Sequence, residues 1–475
     1  MATRRQFLAG LTAAGGLGAL GFPRSASASL TASRLACETY KVLTIDVTRA
    51  VSHRDTLWVD QTDATDGWRV PPSMASVDAE CVNTTFAFGA CASGYDVHLG
   101  PWCWPLVNAG LSNPYRLAVV GHGLSEHGLA QALTLSGVQL GRAGFCSMGA
   151  RVAARWGVEG DVPPSFVVDA LGSPVATQWA VDTGALGPQY RPLVVPVGSD
   201  AFKTSLDRSV TLGGARRDAK DDLVDLYRRR YATLLAHDGD RLRSADFDTY
   251  DNALDAMIDY PLLRDLVQAG PTLAPGATER TGPAATAVRF GAHLLSAGAR
   301  HVSVLAGGLF VDSHSSASYQ AHATLHNGVL WGVARALADA YEDGTLNLAD
   351  TLVVIRSEFG RAQQDASGTE HWPAAYPVLL FGGPIHQRGF SGSIDVDPEP
   401  DGVSVDGWSP TDVAAGIALA AGVEPFQNNA FSITDLSFAP ASAEAAKATL
   451  TEGLFGIGNA PETCPITPGD LPEGS

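Results

Sequence analysis

The chain has 475 residues, of which 45% are hydrophobic and 17% charged, enough to bury a large α/β core and too apolar for a disordered or fibrous protein. A formal net charge of -18 excludes a nucleic-acid partner, because neutralising phosphates needs a basic face. An anionic substrate would need a local positive centre.

In chain order, Thr3-Arg4-Arg5-Gln6-Phe7-Leu8, the apolar stretch Leu11 to Phe22 and the small residues Ala26-Ser27-Ala28 read as a twin-arginine export signal cleaved after Ala28. The apolar run is shorter than the ~20 residues of a spanning helix, so no stable membrane span is expected after cleavage. Residues 1–28 are then the signal, recognised by the twin-arginine export machinery, and 29–475 a single domain, periplasmic or extracellular. Six cysteines (Cys37, Cys81, Cys91, Cys103, Cys146, Cys464) in an exported chain suggest disulfides. Cys81, Cys91 and Cys103 are expected to pair among themselves or with Cys146. Zinc-binding thiolates are the alternative, but no Cys-x-x-Cys spacing supports them.

The first strand is expected at Lys41 to Asp46, followed by Ser52-His53-Arg54-Asp55-Thr56, a cluster that reads either as site or as turn chemistry. Residues from about 60 to 115, rich in Gly, Pro, Trp and Cys, read as a loop over the sheet surface. A strand at Arg116–Val120 leads into Gly121-His122-Gly-Leu-Ser-Glu126-His127, and helices are expected at 129–135 and 148–156. Pro192 to Val197 reads as a strand, about 215–268 as a charged helical insert, and 284–297 as a helix. Arg228 to Arg230 fit a solvated stripe better than an anion site.

From His301 onward, short apolar runs repeatedly end in ionisable residues. His301-Val-Ser-Val-Leu precedes Asp312-Ser-His314, Thr351-Leu-Val-Val-Ile precedes Arg-Ser-Glu358-Phe-Gly-Arg361, and Glu370-His371-Trp372 precedes Val378-Leu-Leu-Phe-Gly-Gly383. Such runs, with helices between them, indicate buried parallel strands in a doubly wound α/β sheet. Ligands bind at the carboxyl ends of such strands, which would gather Asp312, His314, Glu358 and His371. Carboxylates and neutral imidazoles from separate strand ends suit a divalent metal, zinc or manganese first, with calcium as a further candidate. On the helix at 319–341, His322 and His326 lack the adjacent Glu of a metalloprotease motif and read as packed or capped histidines.

Asp312-Ser-His314, Ser357-Glu-Phe-Gly-Arg361 and Glu370-His-Trp-Pro373 resemble the Asp-Thr-His, Gly-Glu-Phe-Gly-Arg and Asp-His-Trp-Pro signatures of a family of exported proteins, domain of unknown function 1501. Ser52 to Thr56 resembles its Ser-His-Leu-Asp-Thr, and His122 to His127 its His-rich element. The resemblance implies an alkaline phosphatase-like fold with a metal at the strand ends. It implies Asp312, His314, Glu358, His371 and His127 as ligands, and Asp46 or Asp55 as the acid after the first strand. It also implies a small anionic phosphate or sulfate ester as substrate, with water or Ser52 as attacker and Arg361 either holding an anionic oxygen or in a buried ion pair. The chain departs from those signatures at Val311, Ser357 and Glu370, and in Asp46-Val-Thr-Arg-Ala, where glycines are usual. A noncatalytic exported binding or cell-envelope protein that keeps the fold is the alternative reading.

Overall fold

The structure is a computed structural model. It describes residues 39–51, 56, 59–60, 86–90, 96–111, 115–157, 162–170, 172–187, 190–197, 222, 226, 229, 260–271, 282–306, 314, 319–362, 369–385, 389–395, 403–405, 407–426 and 432–456. The signal segment, Ser52, Asp55, Asp312, most of the helical insert and Cys37, Cys81, Cys91 and Cys464 lie outside these residues, as does the side chain of His322.

The first half of the chain runs β1 (Lys41–Val47), β2 (Val59–Asp60), β3 (Phe86–Ala90), β4 (Asp96–Leu99), α1 (Trp104–Asn108), β5 (Tyr115–Val120), α2 (His127–Ser136), α3 (Met148–Trp156), β6 (Ser165–Asp169), α4 (Pro174–Ala180) and β7 (Leu193–Pro196). The second half adds α5 (Tyr260–Ala269), α6 (Pro283–Ser296), β8 (His301–Ala306), α7 (Tyr319–Glu342), β9 (Thr351–Arg356), β10 (Gly360–Arg361), β11 (His371–Trp372), β12 (Tyr376–Phe381), β13 (Gly389–Ser391), α8 (Pro410–Ala420) and α9 (Ala443–Leu450).

An eight-stranded sheet, in the order β13-β5-β12-β9-β1-β8-β6-β7, carries the fold. The central β1 is parallel to both β8 and β9, and β6 is parallel to β8 and β7. Apolar side chains cover both faces, which is why these strands read as continuous apolar runs. Leu43, Ile45 and Val47 face a core built with α6 and α7 around Phe290, Trp331 and Leu337. Val42, Leu352 and Val354 face the opposite core, closed by α3 and α8 through Val152, Trp156, Ile417 and Leu419. Helices thus lie on both sides, and each Val, Leu or Ile fully buried between them contributes roughly 1.5–3 kcal/mol.

One strand runs against the rest. β12 is antiparallel to both β9 and β5, although its apolar run is indistinguishable from theirs. A parallel strand needs a crossover of a dozen or more residues, usually helical. The described part of the β9–β12 connection instead holds the short antiparallel pair β10–β11, which turns the chain straight back. At the far end of β12, Gly382 takes φ +71°, and a Cβ there would stand 2.5 Å from the Thr351 carbonyl oxygen, so a side chain is excluded.

Two expectations are corrected. Part of the 60–115 region builds structure: β2, β4 and β3 form a separate three-stranded sheet, and Trp102, Cys103 and Leu106 are fully buried in the larger core. Trp102 Nε1–H donates to the Thr56 carbonyl at 2.7 Å, so this aromatic is anchored from both ends. Cys146 is a free thiol buried beside α3 and forms no disulfide. Among the described residues, no helix is long and apolar enough to cross a membrane.

Candidate metal centre

The carboxyl ends of β1, β5, β8 and β9 and the entry to β12 share one edge of the sheet. Because β12 is antiparallel, residues that precede it, including His371, arrive at the same edge as residues that follow the other strands. His127 opens α2 shortly after β5, Glu358 follows β9 by two residues, and His314 follows β8.

One ring nitrogen from each of His127, His314 and His371 lies within 4.8 Å of the others. The Nε2 atoms of His314 and His371 are 3.0 Å apart. Each ring has an oxygen at its Nδ1. His127 Nδ1 lies 2.7 Å from Glu358 Oε1, His371 Nδ1 lies 2.5 Å from the Ser125 carbonyl, and His314 Nδ1 lies 3.5 Å from Glu370 Oε2. For His127 and His371 that oxygen fixes Nδ1 as the donor and leaves the Nε2 lone pair facing inward. At 3.0 Å the His314 Nε2–H can donate to the His371 Nε2 lone pair, and a cation shared by the two rings would take the place of that proton. Imidazoles backed in this manner by carboxylates and carbonyls are the usual arrangement around a metal. The residues present therefore fit a divalent ion.

His371 is held below its ordinary pKa, first by burial and then by His127, Arg361 and His314, against the opposing Ser125 hydrogen bond. A neutral ring is what a cation requires. The buried ring of Phe359 packs against His371 at 4.4 Å between centroids and against His127 at 5.0 Å, which limits how far either can turn.

Glu358, 2% exposed, stands behind His127. Its Oε1 also accepts from the Arg49 amide at 2.7 Å and from Gln131 at 3.3 Å, and its Oε2 accepts from Ser357 Oγ at 3.2 Å. The serine at 357 thus braces the carboxylate, and the longer Glu370 side chain reaches the His314 ring. Gln131 lies four residues after His127 on one helix face, a spacing that sequence displays but that has meaning only once Glu358 is in place.

Arg361 is fully buried. Its Nε donates to the Ala50 carbonyl at 3.0 Å, Nη2 to the Arg49 carbonyl at 3.3 Å, and Nη1 to Thr369 at 3.3 Å. Asp46 accepts from Arg356 Nε at 2.6 Å and from Ser303 Oγ at 3.0 Å, an ion pair between paired positions of β1 and β9. His122 accepts from the Leu124 amide on Nδ1 at 3.0 Å, so its Nε2–H donates to the Glu358 carbonyl at 2.6 Å. Burial lowers its pKa, and it fixes the Glu358 backbone as a neutral ring. His326 is wholly buried on α7 and is not among the clustered rings.

Among solved structures, Ps i-CgsB in complex with k-i-k-neocarrahexaose is similar at 12% identity and a TM-score of 0.37, over 81% of this chain and 72% of that one. The lipoteichoic acid synthase LtaP from Listeria monocytogenes is similar at 7% identity and a TM-score of 0.34, over 86% and 81%. The alkaline phosphatase from the Antarctic bacterium TAB5 is similar at 13% identity and a TM-score of 0.32, over 74% and 93%. No curated protein sequence matches. The profile described as "Protein of unknown function (DUF1501)" matches residues 117–434, and the chain belongs to that family.

Proposed function

We propose that this chain is an exported, metal-dependent hydrolase acting on small phosphate or sulfate esters. The observation that carries the reading is the set of three imidazoles with their Nδ1 atoms backed by oxygen acceptors. His127, His314 and His371 would hold the ion, with Asp312 and Asp55 proposed to complete its ligands and Glu358 held back as the partner of His127. Nitrogen donors of this type favour zinc, then manganese, and disfavour calcium. A bound cation would supply Lewis-acid polarisation of the ester and a positive centre in an acidic protein. The chain's own groups orient the rings, keep them neutral and exclude water on the Phe359 side. Ser52 remains the proposed hydroxyl attacker, with water as the other candidate.

A second reading, a noncatalytic exported protein that keeps the ion, is favoured by one observation. The Arg361 donors nearest the site go to backbone carbonyls and Thr369 instead of facing a ligand. Elemental analysis of protein recovered from the exported fraction, together with a screen of phospho- and sulfo-esters, separates the two. Bound metal with turnover that is lost in His371→Ala supports the hydrolase; bound metal without turnover supports the second reading. Protein free of metal after loading with zinc and manganese sinks both.

A further inference from the structure

Arg49 and Ala50 follow β1 after Thr48 and adopt φ +79° and +61°, a backbone region that favours glycine. Two consecutive residues with side chains in this region are strained and persist only where surrounding contacts over-determine them. Those contacts are present. The Arg49 amide donates to Glu358 Oε1 at 2.7 Å, its carbonyl accepts from Arg361 Nη2 at 3.3 Å, and the Ala50 carbonyl accepts from Arg361 Nε at 3.0 Å. The same Glu358 oxygen holds His127, so the Arg49 backbone stands one carboxylate away from the three-histidine cluster.

The Arg49 side chain is partly exposed. Among the described residues its guanidinium has neither an ion-pair nor a hydrogen-bond partner, in a chain with 50 acidic residues against 32 Lys and Arg. The neighbouring arginines are committed: Arg356 to Asp46, and Arg361 to the loop that shapes Arg49 itself. A strained backbone clamped from both sides, carrying a cation with no partner among the described residues, is built to present that cation.

We propose that Arg49 is the specificity-determining residue that receives the tetrahedral oxyanion of the substrate, phosphate or sulfate, beside the cation held by the three histidines. A guanidinium can engage two oxygens of such a group at once. The proposal deepens the hydrolase reading and rests on it for the neighbouring cation, while Arg361 acts by positioning the Arg49 backbone.

The test is calorimetric titration of inorganic phosphate and, separately, inorganic sulfate into the full chain, both metal-free and zinc-loaded, with zinc content measured in parallel. Arg49→Gly is expected to weaken anion binding at least about tenfold in both states, since a hydrogen bond to a charged group is at stake. Its zinc content and unfolding temperature should hold or rise, because glycine accepts φ +79° without strain. Arg49→Gln removes the charge while keeping a side chain on the same backbone and should match the glycine variant. Arg49→Lys should recover part of the binding as a point charge. The larger phosphate or sulfate loss identifies the ester class. Wild-type protein that binds neither anion, or both neutral variants binding as tightly as wild type, overturns the proposal. Wild type that takes up no zinc while anion binding still depends on Arg49 overturns the metal reading and leaves this one standing.

Discussion

Glu358 Oε1 lies 2.7 Å from His127 Nδ1, with the carboxylate side chain 1% exposed and the imidazole 26% exposed. A buried carboxylate in this position fixes the tautomer of the ring and raises the basicity of its other nitrogen. Loss of such a partner lowers metal affinity roughly 10–100-fold. Glu358→Gln, which keeps the shape, is expected to fall in that range when zinc is titrated against a chelator of known affinity. Equal affinity in the two proteins would remove Glu358 from the site.

The rings themselves should matter more than what stands behind them. His127→Ala, His314→Ala and His371→Ala are each expected to reduce metal content at least about tenfold. His326→Ala should leave the stoichiometry unchanged while lowering stability, since that ring is wholly buried. Elemental analysis of the four variants reads the metal content and urea unfolding the stability of His326→Ala; full metal content in the first three would discard the ligand set.

The Asp46–Arg356 pair bridges neighbouring strands with both side chains 4% exposed. Removing one partner of a buried pair leaves an uncompensated charge and costs about 3–5 kcal/mol. Asp46→Ala is therefore expected to lower the urea midpoint sharply. Asp46→Leu combined with Arg356→Met should recover much of the loss, because it buries no charge. A single mutant as stable as wild type would show that the pair is indifferent to folding.

His301, 2% exposed in β8, has its pKa lowered to about 3, first by burial and then by Arg356. It is neutral when folded and titrates near its ordinary 6.5 when unfolded, so below pH 6.5 the unfolded chain binds the extra proton. Its contribution is complete above about pH 6.5 and is lost as pH falls toward about 3, by up to roughly 1.4 kcal/mol per pH unit. Urea midpoints at pH 7, 5.5 and 4.5 should decline more steeply in wild type than in His301→Asn. Parallel declines would contradict this assignment.

The strands that read most clearly from sequence are those buried on both faces, Val42–Val47, Val302–Ala306 and Leu352–Ile355, where the few polar residues, Thr44, Asp46 and Ser303, are buried as well. The direction of β12 was not legible, since Tyr376–Phe381 looks the same in either sense and the connection decides. His127 and His314 were readable as imidazoles after apolar runs, and His371 as one just before the run of β12. What residue type could not show was which groups would face inward: Glu358 turned to the back of His127, and Arg361 to the Arg49–Ala50 carbonyls. Nor does an arginine in sequence reveal a positive φ, which is a property of the contacts around it.

The place of β5 in the sheet has a consequence for timing. Its neighbours are β12 and β13, so Tyr115–Val120 leaves the ribosome long before either partner exists. The segment carrying His122 and His127 has no neighbouring strand in the sheet until β12, Tyr376–Phe381, has been synthesised. If the proposed centre takes up zinc, C-terminally shortened chains that end before β12 should take up none, which would place that uptake late in maturation.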